Sequence, residues 1–105
     1  MYFATTSTTS EQTLISIEAG DISGVEYLII STDPTANVRN LVRLSVVKLG
    51  TQIFYTEFNT LPINGSVGDF SVEYDAGPPE TLQLKIIPSS SNLITHKMSI
   101  TSYRE

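Results

Sequence analysis

Apolar residues come in short runs along this chain, and nearly every run is closed by Gly, Pro, Asn or Asp. Thr13-Leu14-Ile15-Ser16-Ile17 ends at Ala19-Gly20-Asp21, and Val25-Glu26-Tyr27-Leu28-Ile29-Ile30 ends at Asp33-Pro34. Leu41 to Lys48 ends at Leu49-Gly50, Gln52 to Phe58 runs toward Pro62, and Asp69 to Tyr74 ends at Ala76-Gly77-Pro78-Pro79. Leu82 to Ile87 stops at Pro88, and Leu93 to Ile100 reaches the C-terminus. Three runs alternate strictly. Val42, Leu44 and Val46 oppose Arg43 and Ser45; Phe70, Val72 and Tyr74 oppose Ser71 and Glu73; Leu82, Leu84 and Ile86 oppose Gln83 and Lys85. A period of two is the mark of a strand with one buried and one wet face. Helix formers never gather at a 3.6 spacing, β-branched residues dominate, and no connection is long enough for a crossover helix. The pattern predicts an all-β protein, an antiparallel β-sandwich (jelly-roll or Ig-like) of about seven to eight strands.

Two connections carry recognisable turn chemistry. Lys48-Leu49-Gly50-Thr51 reads as a tight hairpin, whereas Ile63-Asn64-Gly65-Ser66, flanked by Pro62 and Gly68, reads as a longer loop. Residues 1–10 stand apart. Ala4-Thr5-Thr6-Ser7-Thr8-Thr9-Ser10 is polar and β-branched with no apolar period, so this segment is expected as a flexible arm or an extended segment that pairs with another strand. Residues 11–105 form the expected sandwich domain, with no linker and no internal repeat.

Composition narrows the function classes. A chain of 105 residues buries roughly two-thirds of its unfolded surface, enough for one core without covalent staples. The absence of cysteine excludes disulfides and thiolate metal sites. The net charge of -5, with the bases Arg39, Arg43, Lys48, Lys85, Lys97 and Arg104 scattered along the chain, disfavours nucleic acid as a partner. No apolar run spans a bilayer, so no membrane partner is expected, and Met1 to Ser10 lacks the basic and apolar regions of a secretory leader.

Catalytic, cofactor and metal sites are all expected to be absent, and the chain is not expected to be an enzyme. His96, the one histidine, is in phase with Ile94, Met98 and Ile100 and is expected to be structural, since no nucleophile and acid can be named around it. Asp69, Ser71, Glu73 and Asp75 share one face of one strand, which suits a solvated acidic face better than a cleft for paired carboxylates; calcium is the stronger functional option, but no EF-hand spacing is present. Tyr27, Tyr55, Tyr74 and Tyr103 read as core and interface packing ahead of a sugar platform, and no tryptophan accompanies them. Gly65, Gly68 and Gly77 lack any phosphate-cradling spacing.

The second half of the chain carries a texture of its own. Thr56-Glu57-Phe58 leads to a turn and then Gly65-Ser66-Val67-Gly68-Asp69-Phe70; a strand from Leu82 to Ile87 closes on Pro88, followed by Ser89-Ser90-Ser91-Asn92 and a last strand. With the Thr-rich opening from Ala4 to Thr9, this resembles the small β-sandwich domains of virion structural proteins in tailed phages, particularly marine cyanobacterial ones. Phe58 stands where that family usually has Tyr, and Ala76-Gly77-Pro78-Pro79-Glu80 replaces a shorter turn. The resemblance implies no catalytic residue. It implies a virion protein assembled in the host cytoplasm, above all a capsid decoration (cement) protein that binds the capsid surface as an oligomer; the alternative is a tail or fibre accessory module that binds host receptor or glycan. Its partners would be the major capsid protein or other virion subunits, with self-association as a trimer. The contacts expected are Tyr2 and Phe3 on the arm, and Pro62, Ile63, Asn64 and Val67 in the loop from Pro62 to Gly68.

Overall fold

A computed structural model describes residues 1–104, leaving aside the side chain of Asn59; Glu105, the last residue of the expected domain, lies outside the described residues. Eight strands run in the order β1 (Tyr2–Thr6), β2 (Gln12–Glu18), β3 (Ile22–Asp33), β4 (Val38–Leu49), β5 (Gln52–Ile63), β6 (Gly68–Asp75), β7 (Thr81–Pro88) and β8 (Ile94–Arg104). They form two antiparallel sheets, a larger one ordered β1-β8-β3-β4-β5 and a smaller one ordered β2-β7-β6. The antiparallel sandwich read from the sequence is the observed fold, divided five strands over three. No helix is long and apolar enough to cross a membrane among the described residues.

The strict alternation of the three clearest runs sets the core. Val42, Leu44 and Val46 of β4 face Leu82, Leu84 and Val72 of the small sheet, joined by Val25, Tyr27 and Ile29 of β3 and Met98 of β8. Each fully buried Leu or Ile contributes about 1.5–3 kcal/mol, so these rows supply the main drive for closing the sandwich. A second, smaller cluster of Val67, Ile86 and Ile94 lies toward the end with the 64–67 loop. The sequence run Leu14-Ile15 breaks alternation because β2 bulges between Thr13 and Ile15, which lets both neighbours pack against the core.

Residues 2–6 are an edge strand of the chain's own large sheet: β1 pairs with β8 from Tyr2↔Met98 to Thr6↔Ile94. β5 forms the other edge. It extends through Pro62 to Ile63, and proline is tolerated there because an edge strand spares one row of amides. Between Leu41 and Arg43 the β4–β5 register shifts, so that Arg43 pairs with Phe58 and Leu41 with Leu61. This bulge puts Phe58 and Leu61, three apart in sequence, on one face. Gly50 closes the β4–β5 hairpin at φ 63, with Leu49 and Gln52 paired around it, as the sequence predicts. The 64–67 segment is the expected longer loop, carrying the chain from the large sheet to the small one.

Candidate functional site

Register assigns each side chain to a face. Directly paired residues share one, so the outer face of the large sheet is made of rows across the strands. One row runs Phe3, Lys97, Ile30, Leu41, Leu61; the next runs Ser99, Leu28, Arg43, Phe58; then Thr101, Glu26, Ser45, Thr56; then Tyr103, Gly24, Val47, Phe54. No third layer covers this face, and Phe3, Ile30, Val47, Phe54, Phe58 and Leu61 are all exposed on it. A shallow depression of about 140 Å³ lies near its middle, lined by Glu26, Leu28, Arg43, Phe58, Ser99 and Thr101 among others. The exposed apolar side chains thus lie in two groups on either side of the polar row Thr101, Glu26, Ser45 and Thr56, a candidate interaction face.

The outer face of the small sheet is its chemical opposite. Asp69, Ser71, Glu73 and Asp75 of β6 pair with Ile87, Lys85, Gln83 and Thr81 of β7, so the acidic stripe lies on one face, as alternation predicts. The Lys85 ammonium lies 2.6 Å from Glu73 and 3.5 Å from Glu11, and its hydrogen bond to Glu73 is the chief reason its pKa is raised. Among the described residues no three carboxylate or imidazole groups gather as a metal cluster. Arg39, Arg43 and Lys97 stand on the apolar face instead, with Glu26 as its carboxylate.

His96 is fully buried on the inner face of β8. Its Nε2 is 3.1 Å from Thr6 Oγ1 and its Nδ1 is 2.6 Å from Ser31 Oγ, while Phe70 meets the ring edge-on at a centroid distance of 6.4 Å. A neutral imidazole offers one donor and one acceptor, which two hydroxyls satisfy. Burial lowers its pKa to about 4. The histidine thus ties β1, β8 and β3 together.

The tyrosines do not form a row. Tyr27 is buried in the core, where burial raises its pKa to about 12. The Tyr74 hydroxyl donates to the Glu80 carboxylate, and Lys48 lies over its ring at 5.8 Å. Tyr55 pairs with Val46 on the inner side of the edge strand, and Tyr103 pairs with Gly24 on the outer face.

The six residues expected to make contacts separate into three groups. Phe3, 69% exposed, stands on the outer face beside Lys97, whereas Tyr2 points to the opposite side of β1. Pro62 and Ile63 close β5, and Asn64 begins the loop, its Nδ2 donating to Asn37 O at 2.9 Å. Phe3 and Ile63 therefore lie on opposite edges of a five-stranded sheet, about 19 Å apart by strand spacing. Val67 is a correction. Its side chain is 1% exposed, packed with Ile86 and Ile94, and its N–H donates to Asn40 Oδ1 at 2.9 Å. It holds the loop's shape from within rather than standing at the surface. Sequence reasoning missed Leu28, Ile30, Val47, Phe54 and Leu61. The signal was the unbroken run Tyr27-Leu28-Ile29-Ile30, which alternation with one wet face does not explain and a strand covered on both sides does.

Fold and surface together define a β-sandwich with two chemically different outer faces, one rich in exposed apolar side chains and one acidic. No protein-family profile matches the chain, and no curated protein matches it in sequence. Among solved structures it is similar to the tailspike protein of Acinetobacter phage vB_ApiP_P1, with 12% identity and a TM-score of 0.48 over 96% of this chain. The chain spans 19% of that tailspike's length.

Proposed function

We propose that the chain is a virion structural protein of a tailed phage that works by adhesion, decorating the capsid surface. The observation that carries this reading is a sandwich whose exposed apolar side chains lie on flat faces and strand ends, joined to the turn signatures shared with virion domains. The contacts to the capsid lie at the end of the molecule where Pro62, Ile63 and Asn64 stand beside the 34–37 turn, and along β1 at Tyr2 and Phe3. β1 being a strand of the sheet, partner contacts there come from its exposed side chains and from its outer edge, whose unpaired amides accept a further strand. Each contact can be weak because a lattice repeats it.

The test is quantitative mass analysis of purified particles. Hundreds of copies per particle are expected on a capsid lattice, whereas copies by the tens would move the protein to the tail or fibre, and absence from the particle would overturn the reading. Ile63→Asp combined with Phe3→Asp should lower occupancy on particles about tenfold or more while the isolated protein keeps its melting temperature. Deleting residues 1–10 is the poorer experiment, because it strips a strand and takes Thr6 away from His96.

A further inference from the structure

We infer that the outer face of the large sheet is a self-association surface, closed by a second copy of this chain across a two-fold axis that lies across the strands at the level of Tyr27. The inference goes beyond the virion reading and does not depend on it: it uses the middle of the face, whereas the virion contacts lie at its margins, with Phe3 on the short edge strand β1 and Ile63 at the end of β5. Three observations lead to the second copy.

The first is area. Strands β3, β4 and β5 have 12 residues each and the molecule measures 41 × 25 × 21 Å. With β8 of 11 residues and β1 of 5, the large sheet presents a footprint on the order of 800 Å², from a rise of about 3.3 Å per residue and a spacing of about 4.8 Å between strands. A standard stable interface buries about 800 Å² per partner, so one flat face closes against another of equal size without a further partner.

The second is shape. Sheets pack face to face about 10 Å apart with side chains interdigitating, and another copy offers a face of the same twist, with Leu41, Leu61, Val47 and Phe54 on either side of its polar row. The chain's small-sheet face does not match, because the outer side chains of β6 and β7 are carboxylates, hydroxyls, Gln83, Lys85 and Ile87. Head-to-tail stacking would bury those carboxylates against Phe and Leu.

The third is charge. The cations Arg43 and Lys97 lie on one side of the Tyr27 level, and Glu26 and Tyr103 on the other. A two-fold at that level turns each half onto the other. Leu41 then faces Val47 of the second copy, and Leu61 faces its Phe54. Lys97 faces the second copy's Tyr103, whose hydroxyl lies 3.5 Å from Glu26, and Arg43 comes beside that same carboxylate. The central depression lies on this axis. A two-fold running along the strands would instead set Glu26 against Glu26, which costs free energy.

The experiment is sedimentation velocity on the purified chain across a dilution series, with circular dichroism and melting to certify folding. The expected species has twice the 11.5 kDa chain mass, with a dissociation constant on the order of 10 µM or tighter. Phe54 and Leu61 are 67% and 61% exposed, so Phe54→Glu and Leu61→Glu leave the core intact and should each weaken association about 30-fold or more. Arg43→Glu should weaken it about tenfold, and adding Glu26→Arg should restore it to within about threefold. A monomer at every concentration, a three-chain species, folded glutamate variants that associate like the wild type, or a charge-swapped pair no better than Arg43→Glu alone would overturn the inference.

Discussion

His96 shows how a single side chain records its surroundings. It sits among Ile94, Met98 and Phe70 with only Thr6 and Ser31 to bond, so the charged form is excluded and the pKa falls to about 4. In the unfolded chain it returns to about 6.5. Above that value neither state is protonated and the full stability is present. As pH falls from about 6.5 toward 4, the unfolded chain takes up a proton that the folded one refuses, and stability drops by up to about 3 kcal/mol. Below the folded value the loss levels off. Chemical denaturation of the wild type and His96→Gln at pH 7 and pH 4.5 checks this. The glutamine keeps hydrogen-bonding capacity without the titration, so the difference between the two proteins should shrink by about 2 kcal/mol on acidification; an unchanged difference would contradict it. The inward phase of this residue was legible from Ile94 and Met98. Its hydroxyl partners were not, because Thr6 and Ser31 come from strands 90 and 65 residues away along the chain.

At the scale of the element, two glycines at turns differ in what surrounds them. Gly50 has φ 63 with open space around the position of a Cβ, so alanine there costs only the left-handed backbone, about 1–2 kcal/mol. Gly68 has φ 149, and a Cβ would lie 2.4 Å from Ile87 O, inside the β6–β7 pairing. Gly68→Ala should therefore cost at least about 2 kcal/mol more than Gly50→Ala in urea unfolding, since the first strand pair of the small sheet must part to admit it. Equal losses would show that the close approach is not maintained in solution. Strand order and period were legible wherever one face was wet, as in β4, β6 and β7. The edges were less so. β1 looks like a polar tail because its inward residues are Ala4 and Thr6, small or hydroxylic and fitted beside His96. β5 looks shorter than it is because its bulge shifts the phase between Phe58 and Leu61. Nothing in the sequence singles out Asn40, yet its side chain donates to Gly65 O and accepts from Val67 N–H, clamping the 64–67 loop. Only tertiary structure brings those groups together.

For the whole molecule, the distribution of charge matters more than its sum. Acidic groups gather on the small sheet, and cations stand among the apolar side chains of the large one, so a chain of net charge -5 carries its repulsion mainly on one side. At neutral pH that net charge opposes association beyond the pair of copies inferred above. As pH approaches the isoelectric value of about 4.7, repulsion vanishes while the long β5 edge stays open, and in the unassociated chain it carries Phe54, Phe58, Leu61 and Ile63 exposed. Open apolar edges pair with other chains unless charge prevents it. The cost of keeping His96 neutral grows over the same interval, which adds partly opened molecules to the pool. Light scattering through an acid titration should therefore peak close to pH 4.7 and decline again at lower pH, where the chain becomes cationic. Leu61→Lys interrupts the apolar edge and adds a positive charge, so its peak should be lower and displaced to higher pH. A scattering maximum far from the isoelectric value, or a Leu61→Lys protein that precipitates as heavily as the wild type, would mean that neither the net charge nor this edge governs how the molecules meet.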